Sequence, residues 1–281
     1  MDPPAAGAPI AGHADVRQAP DDWQSPSGRC VVAKQPYGVL VIHGFTSSLD
    51  CVSGIEPPLK AMRLPTRMPV LRGHGAESPQ ALRGVSWHDW VADGEAALQD
   101  LLAEVDRAIV FGHSMGGLVA LTLAAEHGDV VDSIIVAAAA VQLTSPLAPG
   151  RPFHFLAPLV TRLVKKWDMP PVYAAPALAQ HDTNYSWSPM DAILSLLEFA
   201  KETRRRLGEV GVPALIMQSR NDSTVAPESA EIIYGGISTP QEQKRIVWLE
   251  ETEHEMFRDC EREVSIETVA DYVRERVGLG E

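Results

Sequence analysis

The stretch Gly112-His113-Ser114-Met115-Gly116-Gly117 constrains this chain more than any other. It fits the pattern G-x-S-x-G. Before it runs Ala108-Ile109-Val110-Phe111, short and apolar, which reads as a buried central strand. After it, Gly116 to His127 is rich in Ala and Leu and reads as a helix ending near Gly128. A strand that turns this sharply into a helix leaves no room for side chains two positions either side of the serine. The serine itself must take a strained backbone conformation. The helix that starts here aims its first N–H groups towards the serine, where they stabilise negative charge. The plain alternative is a glycine-rich turn with a bystander serine, and motif and context together weigh against it.

The chain has 281 residues, enough for one large domain or two small ones. Hydrophobic residues at 45% and charged residues at 22% are ordinary for a soluble globular protein with a large core. The formal charge of −13 argues against nucleic acid or an anionic membrane as partner and reads mainly as an aid to solubility. The three cysteines, Cys30, Cys51 and Cys260, form no disulfide framework and no zinc pattern, which suits a reducing cytoplasm. Met1 to Asp22 lacks the basic start and apolar run of a signal peptide. The longest aliphatic run, near Ile134 to Val141, is far too short to span a bilayer. A small-molecule partner and a cytoplasmic location are therefore expected.

Along the chain, residues 1–28 read as a loose arm rich in Pro, Ala, Gly and Asp. Residues 29–281 read as one domain. Val39 to Ile42 forms a strand, and Cys51 to Met62 a helix interrupted near Pro57-Pro58. A short strand spans about Arg67 to Leu71. Ser86, with Asp89 three residues on, opens an amphipathic helix to about Glu104. Ser133 to Ala138 is another buried strand. Strands alternating with helices predict a mostly parallel sheet covered on both faces. The rhythm breaks at about 142–206, where prolines recur between short helical pieces without strands. This is read as a helical cap over the sheet's C-terminal edge. Its aromatics, Phe153, Phe155, Trp167, Tyr173, Tyr185 and Trp187, either line a pocket or anchor the cap. The rhythm returns with a strand at Pro213–Gln218, a helix from Pro227 to Tyr234, a strand at Arg245–Leu249 and a last helix from Asp259 to Val277.

A serine hydroxyl needs a base to take its proton and a third group to orient that base. One known chain order is nucleophile, acid, histidine. Asp222 sits just beyond the strand ending at Gln218, and His254 just beyond the strand ending at Leu249. Both project from the edge that carries Ser114. Rival histidines fit less well. His127 is at the far end of the serine helix, His154 and His181 precede the acid, His88 is in an early helix and His13 in the arm. Glu228 and Asp259 read as helix-start residues rather than as the acid. An oxyanion formed at Ser114 needs preorganised donors, expected at the backbone N–H groups of Met115 and, across the Gly44 approach, Phe45. His43, His113 and His74 are read as supports.

His43-Gly44-Phe45-Thr46, Arg72-Gly73-His74-Gly75, the Gly112–Gly117 stretch, Asp222 and His254 together resemble the α/β-hydrolase superfamily over nearly all of residues 38–277. The segment Pro227–Tyr234 followed by Lys244–Leu249 is similar to the C-terminal part of small-cap bacterial carboxylesterases of the monoacylglycerol lipase type. The resemblance implies an α/β fold with a helical cap. It also implies hydrolysis of medium-chain carboxylic esters or monoglycerides, with no metal or organic cofactor. One departure stands out: Glu253 precedes His254 where the family usually carries a small residue. The same triad also serves amide, carbamate and C–C bond hydrolases and acyltransferases, and some proteins of this fold are non-catalytic receptors. The cap decides among these, and the residues alone do not decode it.

Overall fold

Among the described residues, six strands lie side by side in one sheet in the order β2-β1-β3-β4-β7-β8, every neighbouring pair parallel. They are β1 (Gln35–Ile42), β2 (Thr66–Arg67), β3 (Val105–His113), β4 (Val131–Ala137), β7 (Ala214–Ser219) and β8 (Lys244–Leu249). Two further strands, β5 (Lys166–Asp168) and β6 (Trp187–Pro189), pair antiparallel away from the sheet. The helices are α1 (Glu56–Ala61), α2 (Trp87–Leu102), α3 (Met115–Glu126), α4 (Met190–Arg206), α5 (Glu228–Gly236) and α6 (Arg262–Arg276). This computed structural model describes residues 33–148, 150–153, 155 and 164–279. The arm expected over 1–28, Cys30, His13 and His154 lie outside the described residues.

The sheet is apolar on both faces because its strands are runs of aliphatic side chains that alternate in direction. Leu40, Ile42, Val110, Ile134, Val136 and Ile216 point into one core, shared with α2, α3, α4 and α5. Val39, Val41, Ile109, Phe111, Ile135 and Leu215 point into the other, closed by α1 and α6. Helix α3 is buried from Met115 to Ala124, with the sheet beneath it and α2 and α4 beside it. That explains why it has no polar face: every side meets protein.

Four local expectations are corrected. Pro57 and Pro58 do not interrupt a helix but open α1, after two short 3-10 turns at 49–55. The first helical N–H groups have no intrahelical acceptor, so proline loses nothing there. Strand β2 stops at Arg67 because Pro69 has no N–H to continue the ladder. The cap region is not free of strands, since it contains the β5–β6 hairpin. It also ends in one long helix, α4, whose Ala192, Leu196, Phe199 and Ala200 belong to the main core. Finally, α6 starts at Arg262, and Asp259 caps no helix.

Helix α2 begins as expected. The Asp89 carboxylate accepts from the Ser86 N–H at 2.8 Å and the Ser86 hydroxyl at 2.9 Å, and also holds Arg72 at 2.6 Å. The two Ser86 bonds keep the Asp89 carboxyl below the usual carboxylate range. Asp89→Ala is expected to cost about 1–2 kcal/mol in urea unfolding. A change of only a few tenths would mean that this cap is dispensable.

Candidate active site

Ser114 sits between β3 and α3 with φ 54° and ψ −115°, in the left-handed region that an L side chain rarely occupies. Its neighbours permit this only because they are glycines. A Cβ on Gly112 would stand 2.0 Å from the Gly116 carbonyl oxygen. One on Gly116 would stand 2.4 Å from the Ile42 oxygen and 2.6 Å from the His43 oxygen. One on Gly117 would meet the Ala139 Cβ at 2.5 Å. The strain is held by backbone bonds: the Ser114 N–H donates to Ala137 at 2.9 Å, and the Ser114 carbonyl accepts from Gly117 at 3.0 Å and Ala140 at 3.2 Å.

The loops after β7 and β8 bring two more groups to this point. His254 Nε2 lies 3.0 Å from Ser114 Oγ, and His254 Nδ1 lies 2.8 Å from Asp222 Oδ2. With the Nδ1 proton donated to the carboxylate, Nε2 carries the lone pair that accepts the serine hydroxyl. Asp222 is held in turn. Its Oδ1 accepts from the N–H groups of Thr224 at 2.9 Å and Val225 at 2.8 Å, and its Oδ2 also accepts from Gln218 Nε2 at 3.0 Å. Burial opposes the imidazolium, but the Asp222 charge and hydrogen bond overcome it, with help from Glu255 and Glu253, and raise His254 above its ordinary value. Burial likewise opposes the Asp222 charge, and the bonds from His254, Val225 and Thr224 outweigh it and keep this carboxyl low.

Of the two expected backbone donors, Met115 follows the serine directly and Phe45 lines the cavity that Ser114 faces. Met115 is the first residue of α3, so its N–H has no acceptor within the helix. Gly44 lies against the serine, where an added Cβ would be 3.3 Å from Ser114 Cβ, and Phe45 follows it into the wall of the same cavity. The supporting histidines sit behind them. His43 Nδ1–H donates to Gly44 O at 2.8 Å while its Nε2 accepts from the Leu71 N–H at 3.0 Å. His113 Nε2–H donates to the His254 carbonyl at 3.1 Å. Burial, assisted by the charge on His254, pushes His113 down to about 3, so it stays neutral. His74 donates to Arg72 O at 3.1 Å within its turn.

Ser114 and His254 open into a cavity of about 260 Å³. Leu143, Met169, Met190, Ile193, Leu196 and Leu197 make most of its wall apolar. Of the six cap aromatics, Trp167 and Tyr185 line it. Tyr185 is also an anchor: its N–H donates to Thr46 O at 2.8 Å, and its hydroxyl bonds Gly73 and Ala76. Tyr173 is buried against Asp182, Trp187 lies in β6 beneath Lys166, and Phe153 and Phe155 are exposed.

Several residues that shape the site do so through partners on other elements. Gln218 steadies Asp222 from the end of β7. Glu253 turns away from His254 and accepts from Ser223 N–H at 2.9 Å and Oγ at 3.0 Å, tying the acid loop to the histidine loop. Asp259 accepts four backbone N–H groups, from Ala174, Ala175, Glu253 and Cys260. Glu255 is buried in the cavity wall. Among the described residues, Glu95, Glu126 and His127 bring three ligand atoms within 4.8 Å of one another. Glu126 already holds Arg206 at 2.6 Å, and none of the three lines the Ser114 cavity.

Comparison with known proteins now gives this geometry a context. A thermostable monoacylglycerol lipase of Bacillus sp. (strain H-257) is 28% identical over 243 residues, covering 86% of this chain and 92% of that protein. A carboxylesterase of Bacillus subtilis (strain 168) is 25% identical over 238 residues, covering 84% and 91%. A solved structure from the work on LipS and LipT, two metagenome-derived lipolytic enzymes, superposes with a TM-score of 0.77 at 27% identity, covering 86% of this chain and 95% of the other. The sequence model of the serine aminopeptidase S33 family matches residues 35–261, from the first residue of β1 through the loop that carries His254. The chain therefore belongs to the serine aminopeptidase S33 family and has the α/β-hydrolase fold.

Proposed function

We propose that this protein is a serine hydrolase that cleaves carboxylic esters, with Ser114 as nucleophile, His254 as base and Asp222 as the group that orients it. The observation that carries the reading is the hydrogen-bonded line from Ser114 to His254 at 3.0 Å and on to Asp222 at 2.8 Å, at the wall of an apolar cavity. The similarity to a monoacylglycerol lipase and a carboxylesterase over most of both chains supports the same chemistry. Short or medium acyl esters and monoacylglycerols fit the apolar wall. The thiols of Cys51 and Cys260 are free, which accords with a reducing cytoplasm. Among the described residues no helix is long and apolar enough to cross a membrane.

The steps follow from the geometry. Neutral His254 takes the Ser114 proton as Oγ attacks the ester carbonyl. The resulting oxyanion is met by the N–H groups of Met115 and Phe45 and by the positive end of α3. The imidazolium, stabilised by Asp222, gives its proton to the departing alcohol oxygen. Water then attacks the acyl-serine with His254 again as base, and the acid leaves. The strained Ser114 backbone fixes Oγ outward, so little motion separates the resting state from attack.

Two measurements test this. A fluorophosphonate should label the protein at Ser114, and Ser114→Ala should lose label and cut p-nitrophenyl butanoate turnover by about 10³-fold or more. Wild-type turnover in that variant would remove Ser114 from the chemistry. The pH profile of kcat/KM tests His254. The base form is the deprotonated one, so activity falls as pH drops through the His254 pKa, which lies above its ordinary 6.5. Asp222→Asn removes the charge that raises it while burial remains. The acid limb should then move to lower pH as the plateau falls by about 10⁴-fold. An acid limb unmoved by that substitution would assign it to another group.

A further inference from the structure

The acid loop after β7 and the histidine loop after β8 are laced together step by step. The Arg220 N–H donates to the Leu249 carbonyl at 2.9 Å, Asn221 Nδ2 to the Glu250 carbonyl at 2.6 Å, and the Ser219 hydroxyl to the Thr252 carbonyl. On the acid side these contacts all precede Asp222. Beyond Asp222 the lacing passes to Glu253, whose Oε2 accepts from the Ser223 N–H at 2.9 Å and the Ser223 hydroxyl at 3.0 Å. The Ser223 carbonyl is held in turn by the Thr144 hydroxyl of the cap at 2.6 Å. Ser223 stands immediately before Thr224 and Val225, whose N–H groups hold Asp222 Oδ1. Glu253 therefore grips the turn that orients the acid, from the residue beside the base.

We propose that Glu253 is a positioning residue, which clamps the Ser223 turn to the histidine loop and so sets the alignment of Asp222 with His254. This rests on the reading of Ser114, His254 and Asp222 as the catalytic groups. A carboxylate suits the clamp, because two donors converge on one oxygen and an ionised acceptor binds both more strongly than a neutral one. Glu253 is itself anchored, since its N–H donates to Asp259 at 2.9 Å. A shift of the Ser223 turn would tilt the carboxylate that fixes the His254 tautomer, and misplacements of an ångström can cost about 100-fold in rate. The clamp also carries charge. The charged and titratable groups around His254 are Asp222 from the acid loop, Glu253 and Glu255 from its own loop, Asp182 from the cap, paired with Arg258, and His113 from the end of β3, which burial keeps neutral. Burial lowers His254, and Asp222 first, then Glu255 and Glu253, raise it.

The test follows His254 by the NMR pH titration of its imidazole, including the Nδ1 proton, and measures kcat and KM on p-nitrophenyl butanoate. Glu253→Ala should lower kcat by about tenfold with KM little changed, since Glu253 does not line the cavity. Its imidazole should titrate at lower pH than in the wild type, because the lost carboxylate favoured the imidazolium. Its Nδ1 proton should exchange faster with water, because the bond to Asp222 is looser. Glu253→Gln keeps an oxygen for Ser223 without the charge. It should recover most of kcat while still titrating low, and roughly 0.5 M salt should narrow its difference from the wild type. Ser223→Ala removes one donor, and adding it to Glu253→Ala should cost little more than Glu253→Ala alone. Melting temperatures report folding, and if Glu253→Ala unfolds, Glu253→Gln and Ser223→Ala carry the comparison. Wild-type kcat and titration in Glu253→Ala would overturn the clamp. So would losses of kcat as large in Glu253→Gln as in Glu253→Ala, or full additivity with Ser223→Ala. The titration needs no substrate. Absence of Ser114-dependent turnover would therefore remove the ester reading while the alignment of Asp222 with His254 is still decided by the imidazole.

Discussion

The site depends on how closely α3 approaches the end of β1. Gly116 sits where a single methyl group would come within 2.4 Å of the Ile42 carbonyl oxygen. That contact fixes three things together. It sets the sharp turn that forces Ser114 to φ 54°. It brings the Gly44-Phe45 loop against Ser114, where a Cβ on Gly44 would stand 3.3 Å from the Ser114 Cβ. It also lets the start of α3 aim its free N–H groups at the same place. A larger residue at 116 would separate β1 from α3 and disturb all three. The cost of the strained serine is met by the sheet beneath it, where Leu40, Ile42, Val110 and Val136 are fully buried.

The second constraint is the histidine loop, which follows β8 with no regular structure of its own. It keeps its shape through carboxylates. Glu261 accepts from the N–H groups of Glu251 at 2.8 Å and Thr252 at 2.9 Å. Asp259 accepts from Glu253 at 2.9 Å and from Ala174 at 2.8 Å, so one side chain holds both the histidine loop and the cap. Arg258 adds bonds to Asp182 and the His181 carbonyl. The cap and the His254 loop are thus mechanically joined. A movement of the 173–184 segment would be felt at His254 through Asp259 and Glu255.

What was legible in the amino-acid sequence was what local pattern encodes. The strands are aliphatic runs, the serine turn is a spacing of glycines, and the loops carrying Asp222 and His254 follow from counting residues past the ends of β7 and β8. The structure brings Ser114, Asp222 and His254 into one hydrogen-bonded line. The cap is legible only coarsely. Its hairpin strands are three residues each, too short for a periodic signal, and α4 falls within the expected cap although its Ala192, Leu196, Phe199 and Ala200 belong to the main core. Gln218, Asn184 and Glu255 carry no sequence signal for a different reason, and Asp259 reads as a helix start for the same one. Each has its role through partners on other elements, and Asn184 and Glu255 are 71 positions apart. A glutamate after a histidine looks like a solvated surface residue until the cap closes over it. Glu253 stands out in the sequence as a departure, but its partner Ser223 lies in the other loop and only the fold brings the two together.

The acidity of the chain has a structural use. A formal charge of −13 reads, in composition, as a matter of solubility. Yet Asp89, Asp222, Asp259 and Glu261 each accept hydrogen bonds from backbone N–H groups that no helix or strand would satisfy. In loops that must hold an irregular shape at a sheet edge, a carboxylate with two acceptor oxygens is an efficient substitute for secondary structure. The same surplus acts on the chemistry. Asp222 is the main charge that keeps His254 basic against its burial, and Glu255 and Glu253 add to it. A neutral set of loop residues would leave the imidazole buried in an apolar setting with its affinity for a proton depressed. The carboxylates beside His254, Asp222 first among them, therefore raise its imidazole above its ordinary proton affinity in spite of burial.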